Sequence, residues 1–68
     1  MSYRDEVLAV LKQHGPLTYE QILERLMPLP GTADACVAVS QALARLGVTE
    51  RLIHVLPGRP PVRYEALP

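Results

Sequence analysis

Apolar residues recur along this chain at two different spacings, and the change of spacing divides it into a helical front and an extended back. From Ser2 to His14, Val7, Leu8 and Leu11, with Val10 beside them, follow the i, i+1, i+4 pattern that gathers side chains on one side of a helix. The spacing predicts a helix over 2–14. Ser2 is suited to its N-cap, Asp5 and Glu6 sit where the helix dipole favours acids, and Gly15-Pro16 ends it. A second helix is predicted over 18–27. In Leu17-Thr18-Tyr19-Glu20-Gln21-Ile22, Thr18 can accept from the Gln21 backbone while Gln21 reaches back to Thr18, and Leu17 can staple onto Ile22. Ile22, Leu23 and Leu26 form its apolar stripe, and Pro28 stops it near Met27.

Met27-Pro28-Leu29-Pro30-Gly31 reads as a turn-forming linker, after which Thr32 or Asp34 caps a third helix, predicted over 33–47. Cys36, Val39, Leu43 and Leu46 fall on its inner side, flanked by Ala35 and Ala42. Asp34, Val37, Ala38, Gln41, Ala44 and Arg45 fall on the opposite side. Gly47 either ends this helix or allows a further turn through Val48 to Arg51, and the pattern leaves both open. The period then shortens to two. Residues 51–56 and 62–67 read as strands, the second alternating Val62, Tyr64 and Ala66 with Arg63 and Glu65. Pro57-Gly58-Arg59-Pro60-Pro61 joins them, and its prolines cannot donate to a strand ladder. The expected class is therefore α+β, mainly α, in a single domain over 1–68: three helices and a C-terminal two-stranded β-hairpin packed on them.

Composition narrows what such a chain can do. At 68 residues and 7.5 kDa it is too short for two domains or a large substrate cavity. Hydrophobic residues make up 49%, with Tyr3, Tyr19 and Tyr64 the only aromatics, so the core is expected to be aliphatic. Cys36 is the single cysteine, which excludes a disulfide within the chain, and its place on the apolar stripe suits a small buried hydrophobe better than a reactive thiol. His14 and His54 have no metal-like spacing, and no Ser, Thr or Gly stands in a catalytic or phosphate-cradling pattern. An enzyme, a metal and a cofactor are all expected to be absent. Nothing approaches the roughly 18 apolar residues of a membrane span, nor is there an apolar signal-peptide core. A cytoplasmic protein without a membrane partner is expected.

The net charge is zero, seven basic against seven acidic residues, but it is unevenly divided. Residues 1–34 carry Arg4, Lys12 and Arg25 against Asp5, Glu6, Glu20, Glu24 and Asp34, a net −2. Residues 35–68 carry Arg45, Arg51, Arg59 and Arg63 against Glu50 and Glu65, a net +2. Any anion-facing surface therefore belongs to the C-terminal half. Arg51 can cover apolar surface with its stem, whereas Arg59, in a Pro/Gly loop, has no evident packing partner.

Three helices followed by a hairpin, in this order and length, resemble the winged-helix variant of the helix-turn-helix fold. The residues that carry the resemblance are Gly15-Pro16-Leu17-Thr18-Tyr19-Glu20-Gln21-Ile22, Val39-Ser40-Gln41-Ala42-Leu43-Ala44-Arg45-Leu46 and Gly58-Arg59-Pro60-Pro61-Val62-Arg63-Tyr64. What the resemblance implies is double-stranded DNA as partner and a role in transcription regulation, with the third helix in the major groove and the hairpin wing on phosphate or in the minor groove. The reading residues it implies are Val37, Ala38, Ser40, Gln41 and Arg45, with Gln41 suited to adenine and Arg45 to guanine or phosphate. His54, Arg59 and Arg63 would serve the wing. The alternative keeps the fold and makes it a protein-interaction module, adaptor, inhibitor or subunit, because Val37, Ala38 and Ala44 make the outer side of the third helix apolar. A homodimer is expected on either reading, as added burial for a short core or as the means of reading a palindrome.

Overall fold

The structure, a computed structural model, describes residues 3–26 and 33–68. Ser2 and Thr32 as caps, and the linker from Met27 to Gly31, lie outside the described residues, as do the side chains of Ala33, Asp34 and Ala35.

Helix α1 runs Tyr3–His14 with Asp5 and Glu6 in its first turn. Gly15 takes the left-handed conformation, φ +79°, and its N–H donates to the Leu11 carbonyl at 3.1 Å, a closure that satisfies one of the carbonyls a helix end leaves open. The next helix starts one residue later than expected. Leu17–Thr18 form strand β1, and α2 runs Tyr19–Leu26. The reciprocal cap is present: the Thr18 N–H donates to Gln21 Oε1 at 2.9 Å and the Gln21 N–H to Thr18 Oγ1 at 3.2 Å. These two facts have one cause. A capping residue has extended dihedrals, so Thr18 and the Leu17 before it are already shaped for strand pairing.

Helix α3 runs Ala33–Ala44 and passes without a break into a π-helical turn, Arg45–Thr49, in which the Glu50 N–H reaches the Arg45 carbonyl at 2.8 Å. Gly47 thus does not end the helix. The turn is closed by Arg51 at φ 55° and by the Leu52 N–H donating to the Leu46 carbonyl at 2.7 Å. Arg51 is exposed.

Strands β2, Ile53–Val55, and β3, Arg63–Ala66, are shorter than the predicted segments and pair antiparallel, with Ile53 opposite Ala66, His54 opposite Glu65 and Val55 opposite Tyr64. The expected two-stranded hairpin is part of a larger sheet. β1 pairs with the other side of β3, Leu17 opposite Tyr64 and Thr18 opposite Arg63, giving three antiparallel strands in the order β1-β3-β2. Two residues are too few to show a period of two, which is why the pattern alone missed β1.

One core lies between the helices and the sheet. Val7 and Leu11 of α1, Leu17 of β1, Ile22 of α2, Val39, Ala42 and Leu43 of α3, Leu46 of the π turn and Ile53 of β2 are buried, with no polar side chain among them. Leu8, Val10, Leu23, Leu26, Tyr64 and Ala66 pack around it half-buried. Cys36 is half-buried rather than buried, and the Tyr19 hydroxyl donates to its carbonyl at 3.0 Å.

Candidate nucleic-acid interface

The inner stripe of the third helix leaves an outer ridge, Val37, Gln41, Ala44 and Val48, at i, i+4, i+7 and i+11 and all exposed. The π turn carries the ridge one step beyond Ala44: Val48 is 77% exposed and Val37 54%. A groove flanks the ridge on each side.

On the sheet side, a groove of about 480 Å³ is lined by Ser40, Leu43, Ala44, Gly47 and Val48 from the helix and by Ile53, His54 and Val55 from β2, with Tyr19 and Tyr64 also contributing. It is apolar for most of its length. The Ser40 hydroxyl donates to the Tyr19 hydroxyl at 3.3 Å. Helix and strand come together at Gly47, where a β-carbon would lie in ordinary contact, 3.8 Å from Ile53 Cγ1 and 3.9 Å from the Ile53 carbonyl oxygen.

On the α1 side, a smaller groove of about 230 Å³ is lined by Tyr3 and Arg4 of α1 and by Ala38, Gln41, Ala42 and Arg45. At its end Glu50 holds two arginines. Arg4 donates through Nε to Glu50 Oε2 at 2.9 Å and through Nη2 to Oε1 at 2.5 Å, while Arg45 Nε lies 3.1 Å from the same Oε2. Arg4 Nη1 also donates to Asp5 Oδ1 at 2.7 Å. The hydrogen bonds from Arg4, helped by the positive charges of Arg4 and Arg45 and opposed by partial loss of water, hold the Glu50 carboxyl below the usual carboxylate range. Arg4 is shifted upward by the same contacts, Glu50 first and Asp5 second.

The residues expected to contact DNA therefore fall into three groups. Val37, Ala38, Ser40, Gln41 and Arg45 share α3 and its continuation: Val37, Ser40 and Gln41 are exposed, Ala38 is half-buried, and Arg45 is exposed but paired with Glu50. His54 lies across the apolar groove from Ser40, and its Nε2 is 3.0 Å from Glu65 Oε1. Arg59, in the exposed loop between β2 and β3, and Arg63, on the face of β3 opposite Tyr64, have no ion pair among the described residues, and neither does Arg51. Arg59 and Arg63 line neither groove beside the helix.

The sequence reading missed Arg4, Glu50, Tyr19 and Val48. Val48 was legible to the extent that the helix was allowed to continue past Gly47. Arg4 and Glu50 are 46 positions apart, with no local signal joining them. No family model, curated protein or solved structure matches the chain.

Proposed function

We propose that the chain is a winged-helix domain that binds double-stranded DNA, with α3 and its π-turn continuation as the reading element and the β2–β3 hairpin as a wing on the phosphate backbone. The observation that carries this is the distribution of charge left over after internal pairing. Both acids of the C-terminal half are engaged, Glu50 by Arg4 and Arg45 and Glu65 by His54, while Arg51, Arg59 and Arg63 are exposed and free of ion pairs among the described residues. A chain with zero formal net charge thus has a hairpin segment with cations to spare.

On this reading Gln41, exposed at the middle of the ridge, presents an amide that pairs with the N6/N7 edge of adenine, and Val37, Ala44 and Val48 offer methyl groups to thymine. The ridge is then suited to A·T-containing sites. Arg59, Arg63 and Arg51 position the domain without reading sequence. Three phosphate contacts give a salt slope of about −2.7 in log K against log[salt], a loss of about 40-fold in affinity between about 50 and about 200 mM salt. The test is duplex binding by fluorescence anisotropy at both salt concentrations. Arg59→Gln and Arg63→Gln each flatten the slope by about 0.9 on every sequence, whereas Gln41→Ala changes the ranking of sequences and leaves the slope alone. Absence of binding at low salt, or binding indifferent to salt, refutes the proposal.

A second reading is favoured by the sheet-side groove. Its lining from Leu43 to Val48 and from Ile53 to Val55 is apolar apart from His54, and Val48 and Val55 are 77% and 52% exposed beside it. Such a surface suits an apolar protein partner, including a second copy of the chain, better than a phosphate. Salt-insensitive association that Val48→Asp abolishes would establish that reading in place of the first.

A further inference from the structure

The acid-linked arginines beside α1 have a use that the wing does not exhaust. The third helix shows two stripes of neighbouring positions: Ser40, Leu43, Ala44 and Gly47 face the hairpin, and Ala38, Gln41, Ala42 and Arg45 face α1, each at i, i+3, i+4 and i+7. The outer ridge lies between them. The hairpin cations therefore serve only one flank of the reading helix, and the opposite flank has its own donors, Arg4, Arg45 and Tyr3, around the small groove.

We propose that Arg4 and Arg45, with Tyr3, form a second phosphate-anchoring site for nucleic acid on the α1 flank of the third helix, and that Glu50 is the residue that positions its two guanidinium groups. The proposal rests on the DNA-binding reading and names a part of it that the wing cannot supply. Glu50 fixes Arg45 through Nε alone, which leaves Nη1 and Nη2, the two-pronged end that suits a phosphate, without a partner among the described residues. Arg4 is held at three of its donor atoms by Glu50 and Asp5, so its side chain is ordered before any ligand arrives. The acids at the site are Glu50 and Asp5, so the cluster is neutral as a whole, and of its four members the two arginines line the groove that a phosphate would enter. Small residues at Ala38 and Ala42 keep the groove open.

The dimensions suit a duplex. A helix with its side chains is about 10–12 Å across, and the major groove of B-form DNA is about 12 Å wide. Cations on both flanks of a helix lying in that groove would meet the two strands that border it, one from the wing and one from α1. A domain of zero net charge would thereby divide its hold between the strands instead of concentrating it on one.

The experiment measures log K against log[salt] for a random-sequence duplex by anisotropy, with thermal melts of every variant recorded in parallel. With both anchors, five cations give the wild type a slope near −4.5 rather than the −2.7 of the wing alone. Arg45→Gln, which leaves both Arg4–Glu50 hydrogen bonds in place, and Arg4→Gln each flatten the slope by about 0.9. The loss of affinity between about 50 and about 200 mM salt then shrinks about 3.5-fold. Arg4→Lys keeps the slope, and Lys12→Gln, in the last turn of α1, leaves it unchanged. A slope unaltered in folded Arg45→Gln and Arg4→Gln, while Arg59→Gln and Arg63→Gln flatten it, overturns the second anchor and leaves the wing intact. A wild type with no salt-dependent binding overturns the DNA reading itself, and the second anchor with it.

Discussion

Alanine at Gly47 and alanine at Gly15 add the same methyl group to the same kind of residue, and the two substitutions are expected to move stability in opposite directions. Gly47 lies inside helical backbone, and its new β-carbon would sit 3.8 Å from Ile53 Cγ1 and 3.9 Å from the Ile53 carbonyl oxygen, ordinary van der Waals distances that displace nothing. The gain is the difference in helical preference between alanine and glycine, about 0.5–1 kcal/mol. Gly15 has no atom within 4 Å of its would-be β-carbon, so crowding contributes nothing there either. Its φ of +79° does. A side chain in left-handed backbone costs about 1–2 kcal/mol, offset by about 0.4–1 kcal/mol from stiffening the unfolded chain, which leaves a net loss of about 0.5–1 kcal/mol. With an unfolding entropy of about 2.1 cal/mol/K per residue, these changes correspond to roughly 4–7 °C in Tm, up for Gly47→Ala and down for Gly15→Ala. Thermal and urea unfolding followed by far-UV circular dichroism measures both. If Gly47→Ala melts below the wild type, the helix does not continue through the π turn, and the ridge loses Val48. If Gly15→Ala melts at or above it, the left-handed end of α1 is wrong.

Further substitutions examine the core, the α2–α3 junction and the arginine clamp. Leu11 is 1% exposed, and Leu11→Ala is expected to cost about 2–5 kcal/mol, comparable with the about 3–5 kcal/mol available to a core of this size; a cooperative melt retained near the wild-type Tm would show that Leu11 is not central. Tyr19→Phe removes the hydroxyl that donates to the Cys36 carbonyl and accepts from Ser40, and about 0.5–1.5 kcal/mol in urea is expected, with an unchanged midpoint refuting the link. Because the folded Glu50 carboxyl is held below its ordinary 4.5, its pairing with Arg4 stabilises the protein above that pH and is lost as pH falls through the lowered value. The Tm of the wild type therefore falls more steeply than that of Glu50→Gln below about pH 4.5, and parallel acid profiles would refute the assignment.

How far each feature could be read from the sequence follows from the range of the interactions that produce it. The end of α1 at Gly15 and the Thr18–Gln21 cap involve partners at most four residues apart, so residue type and spacing suffice to place them. The inner stripe of α3 was legible for the same reason, and Val39, Leu43 and Leu46 are buried as their periodicity implies. β1 was not legible, because its two residues act as a strand only through β3, 47 positions away for the facing pair Leu17 and Tyr64. The set of residues expected to contact DNA divides along the same line. The exposure of Val37 and Gln41 follows from helical geometry, whereas the pairing of Arg45 with Glu50 and of Arg4 with the same carboxylate depends on how α1 packs against the end of α3.

The sequence by itself determined three helices and an antiparallel strand pair, their approximate limits, an aliphatic core and the excess of cations toward the C-terminus, because each rests on composition or on neighbours along the chain. Tertiary structure alone decided the third strand, the continuation of the last helix as a π turn, and which arginines remain free. Charge along a chain is additive, but which cations are tied to acids and which stand alone is settled only when packing brings distant residues together.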